Sequence, residues 1–158
     1  MSHRINPDEL NLLLAEAAAI PKPVDSRYRI DITSRNGCMI LTIEGTVLQP
    51  IPTEFTDRLE KVLERGAGRR VAIDLAECNY LSSSVIGTLV SFFGASAKGG
   101  GQVVLIRPPP RVEGVLRAVG LDQFFLIVDS LDVALEFFQT QESGSRQPAV
   151  RPRASPPV

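Results

Sequence analysis

The chain of 158 residues has no tryptophan, two tyrosines, two cysteines and a single histidine. Each shortage closes off a chemistry. That histidine, His3, stands ahead of any patterned element, so no Ser-His-Asp or Cys-His triad can form within a folded domain. Cys38 and Cys78 are far apart, lack metal-type spacing and lie beside apolar strand residues, which reads as two small buried thiols. No Gly-Lys-Ser/Thr element occurs, and Gly99-Gly100-Gly101 follows a helical pattern, so no phosphate-cradling nucleotide loop is encoded. Among Asp31, Glu44, Asp74 and Glu77, Asp74 is the acid best placed, at a strand end. No second ligand stands at useful spacing from it, and it reads as an acid bonding to loop amides. These gaps predict no cofactor, no metal site and no enzymatic activity.

Charge and hydropathy exclude further classes. A formal net charge of −1 gives no large electrostatic drive toward nucleic acid or an anionic membrane. No uninterrupted apolar run approaches the roughly 20 residues of a membrane-spanning helix. Leu12-Leu13-Leu14 and Ala17-Ala18-Ala19 imitate a secretory leader, but Asp8, Glu9 and Glu16 break the run and no basic cluster precedes it. A cytoplasmic location is the expectation.

What is present is ordinary for one domain: 44% hydrophobic and 22% charged residues. Asn6-Pro7-Asp8-Glu9 is a helix start, and Leu10, Leu13, Leu14 and Ala17 give one apolar face until Pro21 and Pro23. Residues 1–26 are therefore an N-terminal amphipathic helix and linker, packed on the domain or on a twin subunit of a homodimer. Residues 27–139 alternate strands and helices. Tyr28 to Ile32 and Met39 to Ile43 are strands joined by the hairpin dipeptide Asn36-Gly37. A helix from Thr53 to Arg65 follows, then a strand from Arg70 to Leu75, a helix from Ser83 to Ala97 and a strand from Val103 to Ile106. Pro108-Pro109-Pro110 leads into a helix carrying Val112, Val115, Leu116 and Val119, before a strand from Phe124 to Val128 and a helix capped by Ser130. Residues 140–158 are rich in Pro, Ser and Arg, including Arg146, Arg151 and Arg153, and read as a disordered tail. The order β–β–α–β–α–β–α–β–α predicts an α/β fold: a mostly parallel, mixed sheet of four to five strands with flanking helices.

One segment is set apart from this regular alternation. After the strand Val71 to Leu75, a short polar connection leads to Ser82, Ser83 and Ser84, which open an apolar helix. Serine hydroxyls satisfy free N–H groups at a helix start. A phosphate there would meet the positive end of the helix dipole.

These residues resemble the STAS domain, the fold of bacterial anti-sigma factor antagonists. The strand Val71 to Leu75, the serine turn, the strand Val103 to Ile106, Pro108-Pro109 and the run Leu116 to Phe125 carry the resemblance, the last being similar to the family's Leu-x-x-x-Gly-Leu-x-x-x-Phe pattern. It covers about Tyr28 to Phe138. In the antagonist branch a turn of the type Asp-Ser-Ser-Gly-Leu carries a serine that the partner, a histidine-kinase-like anti-sigma factor, phosphorylates. Phosphorylation releases the antagonist, and a phosphatase restores it. The resemblance places Ser82 at the Asp position, Ser83 at the phosphoacceptor, Ser84 at the second serine, Val85 at the Gly and Ile86 at the Leu. Ser82 and Ser84 are alternate acceptors. The two departures remove a carboxylate and add the bulk of Val85 where a kinase would approach. A partner-binding surface is expected at Ser82, Ser83, Ser84, Val85 and Ile86 together with Glu44, Gly45 and Thr46 in the stretch Glu44 to Pro52. The same resemblance leaves other uses open: a constitutive docking module such as a stressosome-like scaffold, or an accessory subunit of a lipid-transport ABC system.

Overall fold

The computed structural model describes residues 6–120 and 125–142. Helix α1 (Pro7–Ala18) starts where Asn6 caps it: Asn6 Oδ1 accepts from Glu9 N at 2.8 Å, and Glu9 reaches back to the Asn6 amide. Leu13, Leu14 and Ala17 are buried in the main core, so this helix packs on its own domain. Strands β1 (Tyr28–Arg35) and β2 (Cys38–Val47) form an antiparallel hairpin in which Arg35 pairs with Cys38. Asn36 (φ 55°) and Gly37 (φ 77°) take the two left-handed positions that a tight primed turn requires.

Helix α2 (Thr53–Glu64) and a 3-10 turn at Ala67–Arg69 lead to β3 (Arg70–Asp74). Then come β4 (Cys78–Leu81), α3 (Ser83–Lys98), β5 (Gln102–Ile106), α4 (Pro110–Ala118), β6 (Phe125–Val128) and α5 (Leu131–Glu142). Ser130 caps α5 through a bond from Val133 N at 3.2 Å.

The sheet runs β1-β2-β3-β5-β6, antiparallel at β1–β2 and parallel elsewhere. It has six strands where the sequence predicts four or five, the addition being β4. The long strand β2 pairs in parallel with β3 over Met39 to Thr42 and with β4 over Gly45 to Val47. What reads in the sequence as a polar connection is thus a short strand that extends the β3 side of the sheet.

The alternation of strand residues divides the core. Ile30, Ile32, Leu41, Ile43, Val71, Ile73, Val103 and Leu105 face α1 to α4. Ala72, Val104, Ile106, Leu126 and Val128 face α5, which contributes Ala134, Leu135, Phe137 and Phe138. Helix α5 continues to Glu142, so residues 140–142, expected to begin the tail, are helical. His3, the Leu121 to Phe124 part of the family pattern, and the tail arginines Arg146, Arg151 and Arg153 lie outside the described residues.

Candidate functional site

The serine turn forms where β4 ends and α3 begins. Ser82 is the N-cap, with extended backbone (φ −69°, ψ 165°), and its Oγ accepts from Val85 N at 3.4 Å. Its hydroxyl also lies 3.0 Å from Ser84 Oγ. Its own amide donates to the Val47 carbonyl at 3.0 Å, which ties the turn to the end of β2. Ser82 is half-buried, whereas Ser83 and Ser84 are exposed. Among the described residues the Ser83 side chain makes no hydrogen bond, so its hydroxyl is the least committed of the three. It occupies the first helical position, where backbone N–H groups lack intrahelical acceptors.

Both departures from the antagonist pattern take on a physical meaning here. An aspartate and a serine serve equally well as N-caps, so Ser82 keeps the capping function and loses only the charge. Val85 is fully buried, and Ile86 is 3% exposed. Both point into the main core beside Leu81 and Leu89. Val85 therefore places no bulk in the path of an approaching protein, and neither side chain is available as a contact. Their part is to anchor the turn from beneath.

The second predicted patch divides in the same way. Thr46 pairs with Tyr80 and Val47 with Leu81, so the end of β2 and the segment after it lie directly beside the serine turn. Gly45 is needed at this junction. It has φ +92°, its amide donates to the Glu77 carbonyl at 3.0 Å, and a Cβ would sit 2.3 Å from the Arg27 carbonyl oxygen. Glu44, by contrast, lines a polar depression of about 260 Å³ with Arg29, Asp31, Thr33 and Thr42. That depression lies on the outer surface of the β1–β2 hairpin and includes no residue of the serine turn.

Three residues that the sequence does not single out complete the surroundings. Tyr80 and Leu48 are two of the few large apolar side chains exposed among the described residues, at 37% and 46%. Arg111, in the first turn of α4, donates from Nη1 to the Leu81 carbonyl at 2.7 Å and lies 4.6 Å from the centre of the Tyr80 ring. Tyr80 escapes notice because β4 is too short to show a pattern. Arg111 has no local signal at all, because it reaches Leu81 across 30 positions of sequence.

The other candidate chemistry resolves into structure. Asp74 Oδ1 accepts from Ala76 N at 3.0 Å, which makes it a loop-closing acid. Cys38 and Cys78 are both buried, and burial pushes the Cys78 thiol up, against a smaller opposing effect of its contact with the Tyr80 backbone. Among the described residues no cluster of three His, Cys, Asp or Glu side chains converges as a metal site. No described helix is long and apolar enough to cross a membrane.

Comparison with known proteins agrees with this architecture. The family model of the STAS domain matches residues 29–134. The structure of the anti-sigma factor antagonist SpoIIAA in its unphosphorylated form is similar, with a TM-score of 0.57 and 14% identity over 76% of this chain and 99% of that one. The protein TM1081 is similar in its NMR structure, with a TM-score of 0.55 and 19% identity over 75% of this chain and 95% of that one. The crystal structure of TM1081, from Thermotoga maritima, gives a TM-score of 0.51 at 20% identity over 68% of this chain and 92% of that one. With a six-stranded mixed sheet, helices on both faces and a family match across most of its length, the chain belongs to the STAS domain family.

Proposed function

We propose that this protein is a cytoplasmic regulator of the anti-sigma factor antagonist type, and that it binds a histidine-kinase-like anti-sigma factor through the surface around the serine turn. Ser83 is the residue through which that partner controls the complex. The observation that carries this reading is the position of Ser83: exposed, unbonded among the described residues, at the first position of α3, and flanked by the end of β2. The partner transfers the γ-phosphoryl group of ATP to Ser83 Oγ. The new O–P bond replaces the bond to ADP, and the serine proton passes to a base on the partner. A phosphatase hydrolyses the ester and restores the hydroxyl.

The switch follows from charge. A phosphate adds roughly −1.5 to −2 charge and three strong acceptors at neutral pH. On the open surface these are solvated and supported by the α3 N-terminus. Inside an interface they must be desolvated, which weakens binding wherever the partner offers no matching cation. The exposed Leu48 and Tyr80 supply apolar contact area around the acceptor, and Val85 and Ile86 hold the turn rigid from below.

A second reading, a constitutive docking module, draws on the loss of the acid at Ser82, since the three serines then serve as helix cap and polar surface only. The two part company in one experiment. Binding of the cognate kinase is measured with the wild-type chain, Ser83→Ala and Ser83→Asp, with ATP present. The antagonist reading predicts label on the wild type only, and weak binding by Ser83→Asp. Unlabelled wild type whose binding is unchanged by either substitution supports the docking module.

A further inference from the structure

We propose that Arg111 reads the charge state of the serine turn: when Ser83 carries a phosphate, the Arg111 guanidinium pairs with it from its seat on Tyr80. This rests on the reading of Ser83 as the acceptor. Three observations lead to it. The guanidinium is held at two points, by the Leu81 carbonyl at 2.7 Å and by the Tyr80 ring at 4.6 Å, although Arg111 itself is exposed. The carbonyl it holds belongs to the peptide bond that joins Leu81 to Ser82, so the cation lies at the base of the turn. And Arg111 stands in the first turn of α4, where a cation opposes the helix dipole, so α4 gains nothing from having it there.

The geometry suits a phosphate. A guanidinium carries five N–H donors in one plane, and a ring beneath that plane leaves its rim open. The bond to Leu81 uses one donor, and the remaining edge can take two phosphate oxygens in parallel. Because Tyr80 and Leu81 already fix the plane, little side-chain freedom is lost on pairing. Lysine, a point charge without the fork, would attract the phosphate but not replace this arrangement. In the unmodified protein the same cation is exposed at the base of the serine turn, on the surface proposed to meet the partner. Phosphorylation neutralises it, so a single modification changes two charges on that surface.

The experiment uses the full chain with phosphoserine incorporated at position 83 during translation, so that no kinase is needed. The second ionisation of the phosphate is followed by phosphorus NMR in the wild type, Arg111→Gln and Arg111→Lys. The α3 amides act alike on all three, and the difference isolates position 111. In the wild type the ionisation should fall about 0.5 to 1 pH unit below that of Arg111→Gln, the modest shift of an exposed opposite charge. Arg111→Lys should recover only part of it. Superimposable titrations of the wild type and Arg111→Gln would overturn the proposal. Should Arg111→Gln fail to fold, the wild type against Arg111→Lys decides in the same way, equal curves again refuting it. Absence of phosphate on Ser83 in native cells would count against the acceptor reading alone, because this titration does not depend on it.

Discussion

Val85→Gly restores the glycine of the antagonist pattern, and the structure predicts that the restoration is harmful. Val85 has no exposed surface and packs within the main core beneath the serine turn. Full burial of a valine side chain is worth about 1.5 to 3 kcal/mol. Because β-branched valine is itself a modest helix former, glycine adds only about 0.3 to 0.5 kcal/mol through backbone freedom. A small unfilled space beneath the turn raises the cost further, for a total of about 2 to 4 kcal/mol. For a chain of this size that corresponds to a drop in Tm of about 5 to 15 °C. Urea unfolding followed by circular dichroism gives the free energy, and phosphate incorporation with the cognate kinase gives the functional effect. Lower stability with no faster labelling is expected. A variant as stable as the wild type and labelled faster would show that Val85 obstructs the kinase, and would refute its assignment to the core.

Other substitutions probe the junctions around the turn. Gly45→Ala puts a Cβ 2.3 Å from the Arg27 carbonyl oxygen on a backbone with φ +92°, so a loss of about 2 kcal/mol or more is expected in thermal unfolding. Gly114→Ala, in the middle of α4 with no atom within 4 Å of the new Cβ, should instead gain about 0.5 to 1 kcal/mol. Ser82→Asp exchanges one good N-cap for another and should leave stability within about 0.5 kcal/mol, whereas Ser82→Ala should lose about 1 kcal/mol in the same denaturation assay. The Glu60 carboxyl is raised by desolvation first and then by the charges of Asp57 and Glu64. The folded state therefore binds its proton more tightly than the unfolded chain. That contribution is fully present below the ordinary carboxylate range and is lost as pH rises through the raised value. Glu60→Gln should accordingly be more stable than the wild type at pH 7 and lose that advantage near pH 4, read from urea midpoints at the two pH values.

The parts of the fold that a sequence displays are those governed by local chemistry. Asn36-Gly37 specifies its turn because few other pairs tolerate two left-handed residues in succession. Asn6 and Glu9 form their capping box within a single turn of chain. The doubly buried strands β3 and β5 announce themselves by uninterrupted apolar residues. Strand β4 gives no such signal. Cys78 and Leu81 are buried while Asn79 and Tyr80 between them are exposed, and the strand exists because β2 is long enough to pair with it beyond β3.

The candidate site divides along the same line. The serine turn is legible because serine at a helix start has a local meaning. That Val85 and Ile86 face inward is decided by the way α3 lies on the sheet. The approach of Arg111 to Leu81 depends on the crossover from β5 through α4, and nothing in either local segment encodes it. Sequence proximity does not reveal that Glu44 lines a depression with Arg29 and Asp31, on the face of β2 opposite the main core.

The central claim is that Ser83 is a phosphoacceptor governing attachment to a protein partner. The most direct measurement isolates the chain from its native cells, in free and partner-bound fractions, and determines intact mass with fragment mapping of any phosphate. The account predicts phosphate on Ser83 in the free fraction, unmodified protein in the bound fraction, and loss of the modification in Ser83→Ala. Unmodified Ser83 in both fractions, through growth and stress alike, would contradict it.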